Sequence, residues 1–264
     1  MTAGVDRACT PDEPILVVQH LGVTFDSPDG GLGALDDVSF QMCPSEFVCV
    51  VGPSGCGKST LLRVLAGLLP PTRGQVTLRG EPLNGPNADV GVVFQKPNLM
   101  PWRTVLRNIA LPLEMQGIDR ETARGRAQAL IDLVGLGGFG GSRPHELSGG
   151  MAQRVAIARA LIYDPEILLL DEPFGSLDML TRERMNLELQ RIWQQRRKTV
   201  LMVTHDIQEA VFLSDRVMVM SVRPGQITEV VEIDLPHPRS VDVLYDEAFL
   251  SYMRRIRKAI GTDQ

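Results

Sequence analysis

The chain has 264 residues with 44% hydrophobic content, enough for one large α/β domain with a proper core. Its formal net charge of -5 and pI near 5.5 argue against a general nucleic-acid binder, whose footprint should be basic. No apolar stretch approaches a membrane span, the acidic, Pro-containing amino terminus does not read as a signal peptide, and Cys9, Cys43, Cys49 and Cys56, without C-x-x-C spacing, give no zinc cluster and point to a reducing compartment.

Residues 1–14 read as a flexible tail, followed to Phe40 by short strands around the turn-rich SPDGGLGAL, the pattern of an antiparallel layer. The apolar run FVCVV then leads into GPSGCGKST, residues 52–60, which fits the phosphate loop of glycine, four residues, Gly-Lys-Ser. Gly52, Gly55 and Gly57 allow backbone conformations that turn N–H groups inward, with Pro53, Ser54 and Cys56 completing the loop. The helix opening near Lys58 adds its positive end, so a triphosphate is the natural guest. Lys58 can place an ammonium against the β- and γ-phosphates, Ser59 can occupy one position on a magnesium ion, and Thr60 adds a phosphate contact. Leu61, Leu62, Leu65 and Leu68 give the following helix a buried face.

A second apolar run, VGVVF, ends at Gln95, whose amide oxygen can coordinate magnesium or water. Residues 96–164 read as a mainly helical insertion. Leu99, Met100 and Trp102 lie on a loop at its start, where they can pack internally or form a socket for a partner's helix. The glycine-rich stretch 135–142 reads as a flexible joint. In LSGGMAQRVAIARALI, residues 147–162, Met151, Val155, Ala158 and Ile162 share a helix face, and Ser148 reads as the cap. Gly149 and Gly150 bare backbone N–H groups at that helix's positive end, a second anion site that one chain cannot easily bring to the same phosphate as the first.

ILLL precedes Asp171, which can hold magnesium at a strand tip, and Glu172, the better candidate for a general base. Pro173 is expected to extend the backbone at Glu172 and so aim the two acids apart. TVLMVT ends at His205, which can bond a γ-phosphate or orient an attacking water. All four apolar runs read as central parallel strands whose carboxyl ends share one crevice. Near the carboxyl end, Phe249, Met253, Ile256 and Ile260 form a stripe opposite Arg254, Arg255, Arg257 and Lys258. That helix can pack on the domain or meet anionic headgroups or a membrane partner.

The phosphate loop, Gln95, LSGGMAQ, ILLLDEP, SLD at 176–178 and His205, in this order over about residues 15–230, resemble the ATP-binding cassette (ABC) ATPases. The resemblance implies an α/β, P-loop NTPase (RecA-like) core with an antiparallel β subdomain and a helical insertion carrying LSGG. The domain is expected over 15–232, with an extension at 233–264. Two cassettes would face head to tail, with ATP and Mg2+ between the phosphate loop of one and Ser148, Gly149 and Gly150 of the other. Asp178 would lie at that seam, where it can also cap the next helix, and Phe25 would stack on adenine. Ser45 stands where glycine is common in the turn before the phosphate loop.

Within the family, the segments after Gln95, at LSGG and at SVRPGQITEVVEIDLPHPRS look most like importers of the nitrate, sulfonate and taurine type. That similarity implies transmembrane permease subunits, a second ATPase subunit expected to be identical, an external solute-binding protein, and a peripheral place on the cytoplasmic face of the membrane. No nucleic acid is expected. Uptake of a pyrimidine precursor, or a non-transport cassette in repair, translation or cell-envelope mechanics, are the alternatives.

Overall fold

The computed structural model describes residues 14–26 and 31–261. The tail expected up to residue 14 therefore falls almost entirely outside the described residues, as does the tip of the loop at 27–30.

Period-two alternation explains the uninterrupted apolar strands. In β3 (Phe47–Val51) every residue is buried; Phe47, Cys49 and Val51 enter one core while Val48 and Val50 enter the other. β6 (Val90–Val93), β7 (Ile167–Asp171) and β8 (Thr199–Thr204) run parallel to it in the spatial order β3-β8-β7-β6. β9 (Arg216–Met220) joins the other side of β3 in parallel, and β10 (Ile227–Glu232) closes that edge antiparallel. The four runs read from the sequence are thus consecutive neighbours.

One face is covered by α1 (Lys58–Leu65) and by a four-stranded antiparallel sheet. That sheet runs in the order β2 (Leu32–Met42), β1 (Leu16–Phe25), β4 (Arg73–Leu78), β5 (Glu81–Pro82). The other face packs against α2 (Val105–Met115), α3 (Arg120–Leu133) and α4 (Gly149–Leu161), all inserted between β6 and β7, and against α5 (Met179–Arg196), α6 (Ile207–Leu213) and α7 (Glu247–Gly261).

Two local expectations change. The stretch 135–142 is fastened: Val105 N–H donates to Ser142 O at 2.8 Å and Leu106 N–H to Gly140 O at 3.0 Å, so it anchors the start of α2. Ser45 adopts φ +63°, which explains why glycine suits the position. Its cost is offset where its hydroxyl donates to Arg197 O at 2.8 Å and its N–H to Thr199 Oγ1 at 3.0 Å. Cys49 and Cys56 are free and buried, in line with a reducing compartment for these two thiols.

The extension beyond β10 belongs to the same core. Phe249 and Ile256 of α7 are fully buried, and Arg254 and Arg255 pair with Glu247 and Glu229, which makes the apolar stripe a packing face. Arg239 is buried beneath it. Its guanidinium donates to Phe212 O at 3.1 Å and Ser214 O at 2.8 Å, carbonyls that the end of α6 leaves without helical partners, and to Leu235 O at 2.9 Å in the extension. Arg239→Met should lower unfolding free energy by about 3 kcal/mol in chemical denaturation, because those carbonyls stay buried without the donor.

Candidate active site

Strand adjacency converts distant sequence motifs into one edge. Across β3, β8 and β7 the register pairs Val51 with Thr204 and Asp171 with Val203, so the phosphate loop, His205 and the two acids emerge side by side. Val93 pairs with Leu170, and Gln95 follows two residues later.

The loop at 52–57 has the geometry of an anion cradle. Gly55 and Gly57 have φ of +77° and +110°, and Gly57 caps α1 without any side-chain bond, leaving the helix's first N–H groups free for a ligand. A Cβ on Gly57 would lie 2.6 Å from Ala34 O, so only glycine lets β2 approach this closely. Cys56 is 1% exposed and packs into the core below, while its N–H donates to Pro53 O at 3.4 Å and closes the loop's turn. Pro53, Ser54 and Thr60 line the loop and the first turn of α1.

Lys58 Nζ donates to Gly52 O at 2.8 Å and to Pro53 O at 2.9 Å, so its ammonium stands at the loop. Ser59 Oγ donates to Asp171 Oδ1 at 3.0 Å. Burial and the neighbouring Glu172 charge raise the Asp171 pKa, while Ser59, Arg63 and Lys58 oppose the rise. A partly buried carboxylate bonded to a hydroxyl, beside a phosphate cradle, suits Mg2+, which takes few protein oxygens and completes its shell from phosphates and water.

Glu172 departs from expectation. Its φ is +42° instead of extended. Glu172 N–H donates to Val203 O at 2.9 Å, prolonging the β7–β8 ladder, and its carbonyl accepts from Gly175 N at 3.2 Å, closing a turn that overrides the extended preference before Pro173. The strained turn still separates the two acids. Glu172 Oε2 lies 3.0 Å from His205 Nδ1, away from Ser59 and Asp171. A Cβ on Gly175 would lie 3.4 Å from Glu172 Oε2 and 3.7 Å from Gln95 Nε2, so Gln95 and Glu172 converge over this glycine.

The remaining expected residues sit on separate elements. Phe25 ends β1 with its ring partly exposed, paired to Leu32, and β2 continues to Ala34 against Gly57. Ser148 caps α4, its hydroxyl accepting from Met151 N at 3.3 Å. Gly149 and Gly150 are packed close to Leu177 and Thr181. Asp178 caps α5, accepting from Thr181 N at 3.0 Å; hydrogen bonds from Thr181 hold its carboxyl below the usual range. Leu99 packs against the core, Asn108 Oδ1 accepts from Met100 N at 2.7 Å, and Trp102 remains 71% exposed.

Sequence reading passed over Glu209. Asp206-x-x-Glu209 has the spacing of a capping box, and Asp206 does cap α6 by accepting from Glu209 N at 3.2 Å. The Glu209 carboxyl instead turns inward, 4% exposed, to accept the Thr204 hydroxyl, beside the loop that carries His205. Burial first, then the Asp206 and Glu172 charges, push its pKa up to about 7 against the pull of Thr204 and Arg182.

The folded state therefore holds this proton between pH 4.5 and about 7 while the unfolded chain has released it. Stability falls by roughly 3 kcal/mol as pH rises through that window. Glu209→Gln removes the titration, so its melting temperature should gain on the parent protein steadily from pH 5 to 8.

The ABC transporter family profile matches residues 35–175. The chain is 50% identical over 221 residues to a taurine import ATP-binding protein of Rhizobium johnstonii, covering 83% of this chain and 84% of that one. It is 46% identical over 223 residues to an aliphatic sulfonates import ATP-binding protein of Bacillus cereus, covering 84% and 88%. Among solved structures, a dimeric ATP-binding cassette in a post-hydrolysis state bound to ADP and Pi superimposes with a TM-score of 0.72 at 33% identity, over 84% of this chain and all of that one. Motif order, edge geometry and these similarities agree: the chain is an ATP-binding cassette ATPase belonging to the ABC transporter family.

Proposed function

We propose that this cassette hydrolyses ATP between two copies of itself and uses the resulting closure and reopening to drive a membrane permease that imports a small anion such as taurine, an aliphatic sulfonate or nitrate. The observation that carries the hydrolytic half is the division of labour between adjacent acids: Asp171 is bonded to Ser59, and Glu172 to His205. In this reading Glu172 accepts a proton from the attacking water, and His205, with its Nδ1 proton on Glu172, keeps the carboxylate oriented and turns its other nitrogen to the γ-phosphate side. Lys58 and the loop N–H groups bind the phosphates, and Phe25 stacks on the adenine. Ser59, Asp171 and Gln95 would hold Mg2+, which supplies charge neutralisation at the phosphate oxygens when bound.

Ser148, Gly149 and Gly150 serve the nucleotide of the second copy, with Asp178 at the seam. Similarity to dimeric cassettes and to import ATP-binding proteins supports the pairing and the transport role. Among the described residues no helix is long and apolar enough to cross a membrane. In this reading separate permease subunits carry the solute across the membrane, this chain binds them peripherally at the cytoplasmic face, and an external solute-binding protein delivers the anion. The loop held by Asn108 presents Trp102 to the permease.

Glu172→Gln should reduce ATP turnover at least a hundredfold while retaining ATP affinity and trapping the dimer in size-exclusion chromatography. Lys58→Ala should weaken ATP binding itself, as read by calorimetry. Undiminished turnover in Glu172→Gln would remove it as the base. Captured with ATP from detergent-solubilised host membranes, Glu172→Gln should bring down a multi-span permease, and Trp102→Ala in the same background should recover much less of it. Recovery of soluble partners alone would sink the import role.

A further inference from the structure

We infer that Arg182 is a positioning residue that ties the loop carrying His205 to the SLD segment and, through it, to the amino terminus of α4. The inference rests on the hydrolysis reading above and extends it to a residue outside the nucleotide motifs.

Arg182 lies in the first turns of α5 and bridges two segments. Its Nη1 donates to Asp206 Oδ2 at 2.9 Å and its Nη2 to Leu177 O at 3.1 Å. Both charged side chains are about three-quarters covered, at 26% and 27% exposure. A guanidinium is a rigid planar fork, so the two acceptors cannot shift independently without losing a bond. Asp206 is fixed at every polar group: its other carboxylate oxygen caps α6, and its N–H donates to Thr204 Oγ1 at 3.1 Å. The Thr204 hydroxyl is in turn held by Glu209. His205 therefore sits between two anchored neighbours, Thr204 through Glu209 and Asp206 through Arg182, and its ring meets Glu172 at 3.0 Å.

At the far end, Leu177 supports the amino terminus of α4. A Cβ on Gly149 would lie 3.2 Å from Leu177 Cδ2, and one on Gly150 would lie 3.1 Å from Thr181 Cγ2, so α4 and the start of α5 cannot approach further. Displacement of the α4 terminus by the second copy's nucleotide would press on Leu177, move its carbonyl, and reach Asp206 and His205 through the Arg182 fork. Arg182 then lets occupancy of one composite site set the aim of Glu172 in the other. A partly exposed ion pair contributes little to folding. Loss of geometry can therefore be told apart from loss of stability.

The test measures ATP turnover, its KM and the melting temperature of the full chain for Arg182→Gln, Asp206→Asn and the double variant. Asp206→Asn keeps an α6 cap and removes the charge. Each single variant should lower kcat about tenfold with KM within about twofold, and the double should lose no more than either single, since both break one link. Arg182→Lys, which cannot span both acceptors, should recover only part of the loss. Unchanged kcat, or losses that multiply in the double, would overturn the inference. If Arg182→Gln fails to fold, an unchanged kcat in Asp206→Asn alone overturns it. Absence of turnover in the parent protein would instead bring down the hydrolysis reading, and this link with it.

Discussion

The site depends on the ladder between β7 and β8. These strands come from distant parts of the sequence, yet their register pairs Asp171 with Val203 and continues one bond further, from Glu172 N–H to Val203 O. That bond draws Glu172 toward the strand that ends at His205 and leaves Asp171 beside Ser59. A slip of one residue would invert every side chain on the strand and exchange the positions of the two acids. The register is resistant to slipping because both faces of β7 are buried, each against a different core.

A cost accompanies this arrangement. A non-glycine residue at φ +42° stores on the order of 1 kcal/mol or more, and Glu209 places a carboxyl in the core with one oxygen lacking a hydrogen-bond partner among the described residues. Both departures adjoin His205, Glu172 through its 3.0 Å contact with the ring and Glu209 four residues along the chain, whereas the strands beneath are regular and apolar. Rigid parallel strands bear the strain, and the loops at their ends spend it on orientation.

Much of this was legible in the sequence. Four β-branched apolar runs, each followed by a polar group, read as parallel strands sharing one crevice, and the glycine spacing marked the cradle. The backbone of Glu172 was misread because a preference imposed by the next proline is local, whereas the bond to Val203 is not. Glu209 was missed because D-x-x-E is also the spacing of an ordinary helix cap; only the packing of α6 shows that its carboxyl turns inward. Arg182 looks like any arginine on a solvated helix until the fold brings Asp206 beside it. The tightness of the 135–142 loop depends likewise on bonds to α2 that no local pattern announces.

Arg239 joins the carboxyl-terminal extension to the end of α6, and the other end of that short helix carries Asp206 and the His205 loop. Seven residues of helix span little more than 10 Å. The point at which the extension is tied to the domain is therefore one short, stiff helix away from the chemistry, and α7 is built on that anchored extension. Load applied there would be transmitted to the histidine, which makes the carboxyl terminus a mechanically sensitive place to attach anything and the strand side of the small antiparallel sheet a quieter one.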